Sequence, residues 1–252
     1  VNESQAELIA AIHQRKWFYP FDLPDGRSTA SYLPKSAVAV HETRLAMMRK
    51  VLGPALADEQ LTALDLASHQ GWFSMHLAHI GCSRVTGLEP RESHVADSRL
   101  MMRALGLDAV SFIQSDIEHI DDSGVEPADI VLMFGLLYHL ENPVAAIRAA
   151  HRYCQRVCLI ETQVGPHLSG PLDWGSYEFV HPIQGCFSVI DETHETHGPE
   201  GSTGGICLAP SAPTLLWIME KVGFRDVALI EPPEDGYEQH RHRKRVVAVG
   251  WI

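Results

Sequence analysis

Leu61–Pro90 reads LTALDLASHQGWFSMHLAHIGCSRVTGLEP, and its pattern decides the fold. Leu61 to Leu66 is an apolar run of strand length. A turn of small and polar residues follows, Ala67-Ser68-His69-Gln70-Gly71, and then a helical pattern from Trp72 to Ile80. Gly81 sits where a C-cap glycine would end that helix. A second strand-like run, Arg84 to Leu88, ends on Glu89. Strand, tight turn, helix, strand and acid together make the first half of a nucleotide-binding α/β sheet. In such a sheet the amides of the turn and the helix N-terminus face the ligand. An acid closing the second strand can accept both hydroxyls of a ribose. The dinucleotide fingerprint G-x-G-x-x-G is not met, because its three glycine positions hold Ala67, His69 and Trp72.

Outward from this stretch the alternation continues. Ser93 to Leu105 is a helix closed by Gly106, and Ala109 to Ile113 a third strand followed by Gln114-Ser115-Asp116-Ile117. An acid just past a third strand can accept from an adenine amino group. Ala128 to Phe134 is a buried fourth strand running into Gly135-Leu136-Leu137-Tyr138-His139-Leu140-Glu141-Asn142-Pro143. Asn142 as N-cap with Pro143 at N1 starts a helix to about Tyr153. Val157 to Ile160 is strand five, ending at Glu161-Thr162. After a long interruption, Ser211 caps a helix ended by Gly223, and Phe224 to Ile230 and Val246 to Ile252 are the last two strands.

The stretch resembles motif I of class I S-adenosylmethionine-dependent methyltransferases, an acid followed by G-x-G-x-G. On that pattern Asp65 is the acid, and Ala67, His69 and Gly71 hold the glycine positions, of which only the last is glycine. Gly71-Trp72-Phe73-Ser74 is similar to a subset near the tRNA uridine carboxymethyltransferase-like group, and GLLYHLENP resembles the segment after strand four in many methyltransferases. The resemblance covers residues 60 to 162. It implies a Rossmann-like α/β fold, a seven-stranded, mostly parallel sheet with an antiparallel last strand. It implies S-adenosylmethionine as cofactor, held by Asp65, Ala67, Ser68, His69 and Gly71 at the turn, by Glu89, by Asp116 and Ile117, and by Phe134 and Gly135.

Two segments flank this frame. Ser4-Gln5-Ala6-Glu7 is a capping box starting a helix expected to reach Trp17. Aromatic Phe18 to Gly26 follows as a loop that either pins the arm or walls a pocket, and Lys35 to Leu52 is a helix expected to close at Gly53. Residues 1–58 thus read as an N-terminal helical cap and arm, and 59–252 as the catalytic domain. Within the latter, 163–208 lacks clean periodicity and carries Trp174, Tyr177, Phe179 and Phe187, so it reads as an insertion covering the substrate. Tyr138, Trp174 and Tyr177 are the substrate candidates. His194 and His197 lie three apart beside acids, but without H-E-x-x-H no metal is expected.

His139 falls after a central strand, where open α/β sheets place their ligands, and is the candidate base. The reading is methyl transfer to a small-molecule acceptor, at a hydroxyl oxygen. A tRNA-modifying methyl- or carboxymethyltransferase is the second reading. A nicotinamide-dependent oxidoreductase and a non-catalytic cofactor-binding subunit are the alternatives from other classes. Net charge −12 argues against a nucleic-acid surface, and the basic run His240 to Arg245 reads as a solvated hairpin turn. No apolar run reaches the roughly 18 to 20 residues of a membrane span. Val1 to Lys16 lacks a signal h-region, and five cysteines without a CxxC pair suit a reduced, cytoplasmic protein.

Overall fold

A computed structural model describes residues 4–55, 60–173, 178–192, 201–202 and 204–252. Trp174, Tyr177, His194 and His197 lie outside the described residues. The chain begins with α1 (Gln5–His13) and α2 (Lys35–Ala55). Then come β1 (Thr62–Leu66), α3 (Trp72–His79), β2 (Arg84–Glu89), α4 (Glu92–Leu105), β3 (Val110–Gln114), β4 (Ala128–Phe134), α5 (Pro143–Tyr153) and β5 (Cys154–Gln163). Four short strands follow, β6 (Gly170–Asp173), β7 (Glu178–Ile183), β8 (Phe187–Asp191) and β9 (Ile206–Pro210). The chain closes with α6 (Ala212–Val222), β10 (Arg225–Leu229), α7 (Glu238–Arg241) and β11 (Arg245–Trp251).

Seven strands form one sheet in the order β10-β11-β5-β4-β1-β2-β3. Only β11 runs against its neighbours β5 and β10; the pairs among β1 to β5 are parallel. This is the Rossmann-like sheet with an antiparallel last strand. Period-two burial splits each central strand between two apolar layers. Ile130, Leu132 and Phe134 join the layer under α1 to α4, while Val131 and Met133 join the layer under α5 and α6. Strand order reverses between β1 and β4, the switch point at which such sheets open a ligand crevice.

Local chemistry explains most boundaries. Ser4 and Glu7 make the reciprocal capping box of α1, Asn142 Oδ1 accepts from the Ala145 amide at the start of α5, and Gly106 ends α4 in the left-handed conformation. Four expectations are corrected. Helix α1 stops at His13 rather than near Trp17, because Trp17 turns inward: its indole donates to Ile12 O at 2.9 Å and its backbone bridges to Ser31. Helix α2 continues through Gly53 to Ala55. Strand β5 is longer than its apolar run, since β4 on one side and β11 on the other pair it along its length. The fourth correction concerns only the ends of the basic run: Arg241 to Lys244 are exposed, as expected of a solvated turn, but His240 is 2% exposed and the side chain of Arg245 10%. The insertion is built from two antiparallel strand pairs, β6 with β7 and β8 with β9. Strand β9 is tied to the loop after β4 through the Leu208 amide and Leu140 O, at 3.0 Å.

Candidate active site

The site begins with backbone conformation at the turn after β1. Gly71 is left-handed at φ 79°, and Ala67 and His69 adopt the same region at φ 62° and 52°. Two non-glycine residues therefore keep the conformation that glycines normally supply, at a cost of about 1–2 kcal/mol each. Glycine remains where space, as well as φ, demands it. A Cβ on Gly71 would lie 2.5 Å from the ring of Phe112, and one on Gly87 within 2.7 Å of both Phe112 and Ser68.

Above the turn, at the carboxyl ends of the parallel strands, lies a cavity of about 670 Å³, a size suited to a small-molecule site. Ala67 and His69 line it; Asp65, Ser68 and Gly71 lie buried beneath. Asp65 Oδ2 accepts from the Ser74 hydroxyl at 2.6 Å, and burial, only partly offset by that bond, pushes its carboxyl up to about 7. On one side Glu89 ends β2, buried yet lining the cavity, with its oxygens accepting from the His69 and Arg91 amides at 3.0 Å each. Burial alone would raise the Glu89 carboxyl, but the hydrogen bond from His94, the His69 ring and the Arg91 amide outweigh it and hold it below the usual value. Asp116 and Ile117 line the same side; the three hydrogen bonds of Asp116 all fall on Oδ1, from the amides of Glu118 and His119 and the His119 ring.

The N-terminal arm forms another wall. Gln70, inside the turn, accepts from the Phe18 amide at 2.8 Å and donates to Lys16 O at 3.0 Å. The Trp72 indole donates to Pro20 O, and Tyr19 stacks on Trp72 at 5.4 Å. Phe18 and Tyr19 line the cavity, so the aromatic arm both pins itself and walls the pocket.

On the far side Phe134, Gly135, Tyr138 and His139 face the cavity from the end of β4. His139 Nδ1 contacts both carboxylate oxygens of Glu192, which is 1% exposed and also accepts from the Ser202 amide at 2.7 Å. Beside them Glu161, fully buried at the end of β5, pairs with Arg44 of α2 at 2.8 Å and Arg245 of β11 at 3.0 Å. Burial would raise Glu161, but Arg44, Arg245 and His240 hold it well below the usual carboxylate range. Arg245 also donates to the Tyr138 hydroxyl at 3.0 Å and lies over its ring at 4.9 Å. Glu192, Arg44, Glu161 and Gln70 were missed by sequence reasoning. Only Glu192 carried a signal, as part of the acid- and histidine-rich run 191–197. No group of His, Cys, Asp or Glu side chains that could hold a metal occurs among the described residues, and no helix among them is long and apolar enough to cross a membrane.

A motif-I-like turn, a β2 acid and a β3 acid thus bound a strand-end cavity. Residues 57–164 match the family model described as methyltransferase domain. That match spans 108 of the 252 residues, less than half of the chain. No curated protein matches the sequence. The N-terminal domain of EvdMO1, crystallised with S-adenosylhomocysteine bound, is 19% identical with a TM-score of 0.70, the match covering 99% of this chain and 98% of that one. Of full-length EvdMO1 the chain covers 48%. The magnesium protoporphyrin IX methyltransferase of Synechocystis PCC 6803 with bound S-adenosylhomocysteine is 14% identical at TM-score 0.59, over 99% and 95% of the two chains. The glycopeptide N-methyltransferase MtfA with S-adenosylhomocysteine is 14% identical at TM-score 0.55, over 82% and 89%. At these identities the likeness is one of fold.

Proposed function

We propose that the protein transfers a methyl group from S-adenosylmethionine to a hydroxyl oxygen of a small molecule, with His139 as general base. The observation that carries this is the His139–Glu192 pair, whose histidine lines the same cavity as the ribose-type acid Glu89. The residues present fit the cofactor. Glu89 would take the ribose hydroxyls, Asp116 and the Ile117 amide the adenine, and Ala67, His69 and Gly135 the methionine end. Phe134 would pack against it. Asp65, Ser68 and Gly71 act from below by holding the turn in shape. Bound there, the cofactor supplies an electrophilic methyl on a sulfonium.

The protein's part is alignment, water exclusion and proton removal. With a carboxylate against Nδ1, that nitrogen carries the ring proton and Nε2 the lone pair. The acceptor hydroxyl gives its proton to Nε2 as its oxygen bonds to the methyl carbon and the carbon–sulfur bond breaks. S-adenosylhomocysteine and a protonated His139 remain, and solvent recovers the proton. Tyr138, fixed by Arg245, orients the acceptor, and Trp174 and Tyr177 belong to the cover in this reading. Residues 1–58 act as a cap on the catalytic domain 59–252, since the arm closes one wall of the cavity. The five free cysteines support a cytoplasmic setting.

The N-terminal domain of EvdMO1 has been crystallised in the presence of S-adenosylhomocysteine and D-fucose, a polyhydroxylated sugar. Free sugars therefore head the acceptor panel. Methyl-labelled cofactor should transfer label to a hydroxylated metabolite, and His139→Ala should lower turnover by about 100-fold or more. Label moving to bulk tRNA instead would support the carboxymethyltransferase-like reading. Full turnover by His139→Ala with an unchanged pH profile would remove His139 as base.

A further inference from the structure

Arg245 meets three oxygen acceptors, and two of their side chains line the cavity. Its Nη1 donates to Glu161 at 3.0 Å, its Nε to Gln239 Oε1 at 2.9 Å and its Nη2 to the Tyr138 hydroxyl at 3.0 Å. Tyr138 and Gln239 both line the cavity beside Arg245 itself. A guanidinium carries only donors and keeps its charge. Each partner therefore turns an oxygen lone pair towards it, and this fixes what each partner has left to offer. Gln239 shows Arg245 its carbonyl, so its NH2 group points elsewhere and the orientation of the amide is settled. Tyr138 spends a lone pair on Arg245 and keeps its O–H, which no acceptor among the described residues takes. One cation thus leaves two neutral donors at the cavity wall. The Tyr138 ring lies 4.1 Å from that of His139, so one donor stands directly beside the proposed base.

Apolar side chains join them. Leu33 precedes α2, and Ala37, Val40 and Arg44 follow along one face of that helix, all lining the cavity. Two contacts lock α2 to the donor pair. Arg44 shares Glu161 with Arg245, and the Thr43 hydroxyl accepts from the Tyr237 amide at 2.7 Å, just before the short helix α7 that carries Gln239. A ligand suited to this end has an apolar face and an edge of neighbouring oxygens. A ring with vicinal hydroxyls has both, one oxygen to be methylated and the next to be held.

We infer that Gln239 and Tyr138, turned by Arg245, determine acceptor specificity, and that the acceptor is a ring bearing a vicinal diol. Both residues donate to oxygens next to the one that is methylated. A sugar ring and a catechol ring share this chemistry. The inference rests on the proposed function, with His139 taking the proton as the hydroxyl oxygen bonds to the methyl carbon and the carbon–sulfur bond breaks.

Gln239→Glu tests polarity rather than size, because a carboxylate still accepts from Arg245 but has no hydrogen to donate. The full chain, with and without S-adenosylhomocysteine, is titrated by ligand-observed NMR. The probes are D-fucose, D-glucose and catechol, with cyclohexanol as the control bearing a single hydroxyl. Wild type should bind a hexose or catechol about 10-fold more tightly than cyclohexanol, and whichever binds names the source. Gln239→Glu and Tyr138→Phe should each weaken that ligand by about 10-fold and leave cyclohexanol unchanged. Thermal unfolding of Gln239→Glu should match wild type, and if Tyr138→Phe does not fold, Gln239→Glu carries the measurement. Equal binding of cyclohexanol and the diols, no binding of any diol, or undiminished diol binding by the variants would overturn the inference. The role of His139 fails separately: His139→Ala would then keep full turnover while diol binding still depends on Gln239 and Tyr138.

Discussion

His139 Nδ1 lies 2.7 and 2.9 Å from the two carboxylate oxygens of Glu192, a residue 53 positions later, just past β8 in the segment between β5 and α6. The loop after β4 and this segment thus meet in a polar contact beside the cavity, reinforced by the Leu208–Leu140 backbone hydrogen bond. Glu192→Gln keeps the shape and removes the charge. It should lower kcat by about 10- to 100-fold with little change in KM for the cofactor. The acid limb of the pH–rate profile should move to lower pH, because the carboxylate favours the protonated ring. A purely structural role would lower activity without moving that limb.

The Glu161 cluster should be far more sensitive to losing a charge than to losing one hydrogen bond. Arg245→Met removes one cationic partner of a fully buried carboxylate and should cost about 3–5 kcal/mol in urea unfolding. Tyr138→Phe removes only the hydroxyl that Arg245 meets and should cost about 1 kcal/mol. Equal losses in the two variants would show that the cluster is not a charge-compensated unit.

Between about pH 4 and 7 buried groups of two kinds should pull stability in opposite directions. Asp65 is raised from 3.8 to about 7, so its contribution is full below pH 4 and lost as pH rises towards 7. Asp65→Asn should therefore gain a few kcal/mol at pH 8 and flatten that limb. His41 and His76 run the other way. Burial first, then Arg44 for His41 and Arg49 for His76, lower them from 6.5 to about 3 and about 4. The stability they contribute is present above pH 6.5 and lost as pH falls. His41→Phe should shallow the acid limb by one proton in a pH series of thermal unfolding.

The left-handed turn makes a sharper test of local strain. Ala67→Gly should stabilise by up to about 1 kcal/mol, relief of the left-handed penalty being partly offset by unfolded-state entropy. Ala67→Val should destabilise by about 2 kcal/mol, since a β-branched residue tolerates that region worst. Thermal unfolding with and without S-adenosylhomocysteine reads both effects. The opposite order of stabilities would mean that the turn relaxes out of this conformation in solution.

The parts legible in sequence were those whose cause is local. The capping box at Ser4, the Asn142-Pro143 start of α5 and the strand–turn–helix of Leu61 to His79 each depend on residues a few positions apart. The failures share the opposite property. Arg245 sits in a basic run that looks solvated, and its partner Glu161 is 84 residues away. Trp17 looks like helix because nothing nearby reveals that Tyr32 donates its amide to Trp17 O.

By itself the sequence determined the order of strands and helices from β1 to β5, the tight turn after β1 and the acids closing β2 and following β3, because periodicity and turn chemistry act over one or two helical turns. Only the tertiary structure decided that two arginines converge on Glu161, that Glu192 meets His139, and that Gln70 ties the arm to the turn. The physical reason is that a charge's burial and its compensation depend on chain segments brought together by the sheet, and sequence spacing does not encode that distance.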